Sequence, residues 1–289
     1  MQTPLNMTKR LADILIALAL FDYLTARQVT RLLYAEGSFT YVTTQLKVLV
    51  ESGLVLTIGG RGTSLPLIYT LTGKGRSVAS NLSGELPRRF RPAEAREKQT
   101  NTYFMRHLLA VNDVLISATL LSQTRPDITL THMYREPELR RRIYVALPER
   151  ICIEPDGGCQ FLSTKMGEER PETWEDFFFI ELYRTLPPVK ERFKQKIQGY
   201  VTYVADGQHE ALYTTSALSL AVIAQTPQMM GMLKHWTEEA LREIDKPEEG
   251  EWFFFSSLDT ATTSPEELFL SPVWEQAFGT TKTPLLVLE

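Results

Sequence analysis

The first 75 residues constrain the chain most. Three helical periods follow one another there, and two short strand-like runs joined by glycines come after them. "TKRLADILIALALFDYL" has helical apolar periodicity behind Thr8, a hydroxyl residue suited to an N-cap. "TARQVTRLLYAEG" opens with Thr25 and carries Gln28 three residues on, the spacing of a capping box, and Gly37 can close it. "SFTYVTTQLKVLVESG" opens at Ser38 and puts Val42, Leu46, Leu49 and Val50 on one face before Gly53 stops it. Then Leu54 to Ile58 and Leu67 to Leu71 flank a glycine-rich tip that holds Arg61. Three helices and a hairpin in this order predict a winged helix-turn-helix over residues 1–83.

In such a fold the third helix lies in the major groove of DNA with its N-terminal residues toward the bases. Its outward positions here are Thr40, Tyr41, Thr43, Thr44 and Lys47, side chains that hydrogen-bond to phosphates or base edges. Arg61 at the hairpin tip can reach a minor groove or a phosphate. A scaffold for protein contacts is the alternative use of the same fold. Charge favours a polyanion. Residues 1–100 hold 13 Lys and Arg against 7 Asp and Glu, whereas the remainder holds 18 against 28. Residues 84–100, "GELPRRFRPAEAREKQT", read as a basic linker broken by Pro87 and Pro92. Arg88, Arg89 and Arg91 cluster there around Phe90, where they either track a DNA backbone or stay solvated.

Several classes drop out. "LADILIALALFDYL" is too short to span a bilayer and carries Asp13 and Asp22, so no membrane role and a cytoplasmic location are expected. Cys152 and Cys159 have no Cys or His pair at zinc spacing. No glycine-rich phosphate loop and no Gly-x-Ser-x-Gly elbow occur.

From residue 101 to 289 helical and β-rich runs alternate. A helix starts at "NTYFMRHLLAVNDVL"; "ITLTHMYRE", "RRIYVALPERICIEPD", "DFFFIELYR", "ALSLAVIAQ" and "GEWFFFSSL" read as strands. "VKERFKQKIQGYVTYVA" and "PQMMGMLKHWTEEALREI" read as further helices, the second Met-rich and either a core helix or an interaction face. That order predicts an α/β domain with a central mixed sheet.

Within it, Pro155-Asp156 and, further on, "FFFIE" ending in Glu181 resemble the Pro-Asp…(Asp/Glu)-x-Lys pattern of the restriction-endonuclease-like core. More narrowly, "LTARQVTRLLY", "LKVLVESGLV", "YTLTGKG", "RHLLAVNDVL", "EPDG" and "FFFIELYRT…KERFKQKIQGY" resemble, in that order over about residues 9–205, the replication-relaxation family of plasmids and conjugative elements. The resemblance implies a winged helix followed by such a core. It also implies a double-stranded DNA partner, other replication or mobilisation proteins, and a homo-oligomer as a further option.

In an active core, Asp156 and Glu181 would hold Mg²⁺, with Asp113 on the preceding helix, beside His107 and Asn112, as a third acid. Tyr183 stands where the motif has lysine, so Lys194 or Lys196 on the next helix would have to reach back. Three readings stay open. The first is a DNA-binding accessory protein of a mobile element whose nuclease-like site is degenerate and needs no cofactor. The second is an active Mg²⁺-dependent endonuclease or nickase. The third is a transcriptional regulator with an acidic oligomerisation domain. On the plainest alternative, Asp156 and its two glycines form a hairpin turn, and Glu181 pairs with Arg184 or a helical lysine.

Overall fold

A computed structural model of the chain describes residues 6–83, 102–146, 153–166, 171–184 and 188–288. Its contacts form two compact units, Met1–Ile116 and Ser117–Glu289. Arg88, Arg89, Arg91 and Cys152 lie outside the described residues.

The first unit runs α1 (Lys9–Phe21), β1 (Leu24–Thr25), α2 (Ala26–Leu33), α3 (Phe39–Glu51), β2 (Val55–Ile58), β3 (Ile68–Leu71) and α4 (Gly73–Ser83), then the first half of α5 (Thr102–Thr124). Local chemistry sets the helix starts. Thr8 accepts from the Leu11 N–H at 3.3 Å. Thr25 and Gln28 close a reciprocal box, with the Gln28 N–H donating to Thr25 at 3.2 Å and the Thr25 N–H to Gln28 at 3.0 Å. Ser38 makes no such bond, and α2 stops at Leu33, short of Gly37. Ile14, Leu15, Leu18, Val29, Val42, Leu46 and Leu49 meet in a buried core. The strands form an antiparallel sheet in the order β1-β3-β2.

The sequence reading did not anticipate α4. "TLTGKG" looks like turn chemistry, but Thr72 caps a helix: its hydroxyl donates to Gly53 O at 2.8 Å and accepts from the Gly75 N–H at 3.0 Å. The front of α5 also builds this unit. Met105 and Leu109 pack with Leu65 and Ile68. Asn112 donates to the carbonyls of Phe21 and Tyr23 at 3.1 and 2.7 Å. The compact unit therefore runs through Ile116. By length and composition α5 could cross a membrane, yet most of its apolar stretch is buried in the fold.

The second unit is built on a seven-stranded mixed sheet in the order β10-β9-β8-β7-β6-β5-β4. These are β4 (Ile128–Arg135), β5 (Gly157–Met166), β6 (Pro171–Tyr183), β7 (Ser219–Ala224), β8 (Phe253–Ser256), β9 (Trp274–Gln276) and β10 (Lys282–Thr283). β6, β7 and β8 are parallel, and the other pairings are antiparallel. Helices α6 (Glu136–Ala146), α7 (Lys190–Ala205), α8 (Gln208–Tyr213), α9 (Pro227–Glu243) and α10 (Pro265–Leu270) complete it.

On one face Phe177, Phe179, Val222 and Phe255 pack against Phe193, Ile197 and Tyr200 of α7 and Leu233, Ala240 and Leu241 of α9. On the other face Phe161 meets Phe178 and Phe269, with ring centroids 6.5 and 5.3 Å apart. Apolar side chains on both faces are why β6 reads as the unbroken run "FFFI".

One expectation changes here. "RRIYVA" is not a strand but the end of α6, whose Leu139 and Ile143, one turn apart, enter the core beside Tyr134. Its β-branched residues carried the wrong signal, because burial at a spacing of four outweighs propensity. In the Met-rich helix α9, Met229, Met230 and Met232 pack against the core while partly exposed. Cys159 is a buried free thiol, and burial pushes its pKa up, away from thiolate chemistry.

Candidate functional site

The antiparallel β5–β6 ladder pairs Gly157 with Ile180 and Gly158 with Phe179. One step further, Asp156 comes beside Glu181. The Asp156 N–H donates to Ile180 O at 2.9 Å, and the Leu182 N–H donates to the Asp156 carboxylate at 2.7 Å. "PDGG" is therefore not a hairpin turn. Both glycines are strand residues, and Gly158 allows a close approach: a Cβ there would lie 3.2 Å from Phe178 O and 3.3 Å from the Phe177 ring.

Glu181 is buried, at 3% exposure, and its carboxylate is fully engaged. The Lys196 ammonium lies 2.5 and 2.6 Å from its two oxygens. The Tyr200 hydroxyl donates to Oε1 at 2.5 Å. Lys196 also donates to Glu154 O at 3.1 Å. Lys196 and Tyr200 are four residues apart on α7, so one helical face brings both to the strand. Lys194, two residues earlier, sits about 200° around the helix and pairs instead with Glu243. Of the two expected lysines, only Lys196 reaches Glu181.

Burial pushes the Glu181 carboxyl up to about 7, and Asp156 adds to the rise. Lys196 and Tyr200 hold it down. Tyr183, in the motif's lysine position, shares the Glu181 side of the strand. Burial first, and the Glu181 charge second, raise its hydroxyl pKa. Arg184 alternates to the other side, where it lines a cleft with Gln225, Ser257, Asp259 and Thr260 at the carboxyl ends of β6, β7 and β8.

Asp113 belongs to the N-terminal unit. Gln28 donates to its carboxylate at 3.0 Å and to Leu109 O at 2.7 Å, and the Arg31 guanidinium lies 3.8 Å away. A divalent ion of the Mg²⁺ type needs about six oxygen ligands. The Glu181 oxygens are taken by an ammonium and a phenol, and one Asp156 oxygen by a backbone N–H. Among the described residues no group of three or more His, Cys, Asp or Glu is placed to hold a metal ion. As arranged, the residues fit an internal ion pair and not a divalent cation.

In the N-terminal unit Thr40, Thr44 and Lys47 stand exposed on α3. Thr43 donates back to Phe39 O at 2.9 Å and Thr44 to Thr40 O at 2.9 Å, while Lys47 lies 3.8 Å from Glu51. Tyr41 is half-buried between the Arg10 guanidinium, 5.3 Å from its ring centre, and the Tyr34 ring at 5.9 Å. Arg61 is exposed at the turn between β2 and β3.

The sequence model of the family described as Replication-relaxation matches residues 15–216. The chain belongs to the replication-relaxation family. No curated protein and no solved structure matches it.

The stretch matched to the replication-relaxation family contains every residue of the Asp156–Glu181–Lys196–Tyr200 cluster, together with α3 and the β2–β3 turn. Sequence reasoning missed Tyr200 and the Glu154 carbonyl. The tyrosine left a signal, since it stands one helical turn after Lys196 on a helix already expected to face the strand. The carbonyl left none.

Proposed function

We propose that this replication-relaxation protein is a DNA-binding accessory protein of a mobile genetic element, acting in replication, relaxation or mobilisation of its DNA. In this reading the N-terminal unit is a winged helix-turn-helix with α3 as its recognition helix and the β2–β3 turn as its wing. The observation that carries it is the exposed polar face of α3 (Thr40, Thr44, Lys47) in the same unit as an exposed Arg61 at the turn. Family membership supports the process. Lys47→Ala with Arg61→Ala is expected to weaken a gel shift of duplex DNA about uniformly across sequences and to lower the slope of log affinity against log salt by up to about two. Unchanged affinity and slope would remove α3 and the turn as the DNA surface.

The C-terminal unit is, in the same proposal, a restriction-endonuclease-like core whose site is degenerate. The engagement of both Glu181 oxygens by Lys196 and Tyr200 supports this. Supercoiled plasmid with Mg²⁺ or Mn²⁺ is expected to show no nicking above the level of Asp156→Ala and Glu181→Ala. Metal-dependent nicking lost in both variants would instead establish the alternative, an active endonuclease or nickase using Asp156, Glu181 and Lys196.

A further inference from the structure

The exposed face of α3 has an uneven chemistry. Phe39, its first residue, is 46% exposed and lies outside the core. Thr43 and Thr44 spend their hydroxyls on carbonyls of their own helix, at 2.8 to 2.9 Å. Their hydroxyl protons are thereby committed, and each offers a ligand its methyl group beside an oxygen that can only accept. No arginine, asparagine or histidine occurs between Phe39 and Glu51. Gln45 is half-buried and lies on the flank nearest Val42 and Leu49, which face the core.

Guanine is read in the major groove by bidentate Arg or Lys and adenine by Asn or Gln, whereas the thymine C5-methyl is read by apolar contact, including Thr methyls and Phe. Toward the N-terminus of α3, the end that would meet the bases, Phe39 and the Thr43 and Thr44 methyls are of the third kind. Lys47, two turns along and beside Glu51, is suited to a phosphate.

A nucleic acid is the occupant that the surrounding charge favours. Within residues 6–83 the exposed charged side chains are Lys9, Arg10, Arg27, Lys47, Arg61 and Lys74 against Glu36 and Glu51. We propose that α3 selects thymine, with Phe39 and the Thr43 and Thr44 methyls contacting C5-methyl groups in the major groove. This rests on the DNA-binding reading above and adds its base preference.

The test uses the full chain and three fluorescent duplexes at one low salt concentration. One duplex is A·T-rich, the second is the same with uracil for every thymine, and the third is G·C-rich. The thymine duplex is expected to bind tightest. Uracil substitution should cost about fourfold in affinity for each methyl contacted, from the transfer free energy of one buried carbon group. Phe39→Ala combined with Thr43→Ser and Thr44→Ser, which keep the intrahelical hydroxyl bonds and remove only the methyls, should bring the thymine and uracil duplexes together. Equal binding of thymine and uracil duplexes by the wild type would overturn the base preference and leave DNA binding standing. Discrimination that survives in the triple variant would also overturn it. No binding to any duplex would overturn the DNA-binding reading itself.

Discussion

Lys196→Ala is expected to destabilise the C-terminal unit by about 3–5 kcal/mol at pH 8 and by clearly less at pH 5. Removing one partner of a buried ion pair leaves the other charge uncompensated, and a loss of this size is typical. Glu181, 3% exposed, would keep tyrosine hydroxyls but no cation beside it. Its escape is protonation. The carboxyl already titrates near 7 in the folded protein, against about 4.3 in an unfolded chain.

A raised carboxyl pKa means that the folded state binds the proton more tightly than the unfolded state. Stability is therefore lost as pH rises from about 4.3 through 7, the reverse of an ordinary surface carboxylate. Without Lys196 the folded pKa rises further, so the gap between variant and wild type widens with pH. Urea midpoints at pH 5 and pH 8 check this. Glu181→Gln with Lys196→Met should recover most of the loss, because it replaces the pair as a whole. A Lys196→Ala penalty equal at both pH values would contradict a buried pair of charges.

Gly75→Val is expected to cost about 3 kcal/mol or more in the N-terminal unit, and to remove with it the DNA binding proposed for that unit. A Cβ at this position would lie 2.0 Å from Leu54 O. The obstacle is backbone, so no side chain can swing away, and α4 has to move off the turn that leads into β2. That movement also breaks the bond from the Gly75 N–H to Thr72. Gly73→Ala, two residues earlier, is the control. Nothing lies within 4 Å of its Cβ, and alanine in a helix gains up to about 1 kcal/mol over glycine. The two glycines of "TGKG" look alike in sequence and should differ by several degrees in thermal midpoint. Equal effects would mean that α4 does not pack on Leu54 as described.

That contrast marks how far the sequence can be read. The starts of α1 and α2 were legible, because a cap is a contact three residues long: Thr8 with Leu11, and Thr25 with Gln28. The strands β6 and β7 and the helices α7 and α9 were legible from apolar runs and period. The segment that became α6 was misread, since "RRIYVA" has strand-like residues and its burial beside Tyr134 comes from elsewhere in the chain. Gln28 was read correctly as a capping residue, while its second bond, to Asp113 across 85 residues, had no local trace.

The sequence by itself determined that acids stand at Asp156 and Glu181 and that lysines follow on a helix. Tertiary structure alone decided that β5 and β6 pair in the register that sets those acids side by side. It decided too that α7 turns Lys196 and Tyr200, not Lys194, toward them. The physical reason is one of range. Caps and periods are contacts between near neighbours and are written in the order of residues. Strand register and helix rotation are settled by how two whole faces bury their apolar side chains, and a shift of one strand residue or 100° of helix would give the site to different side chains.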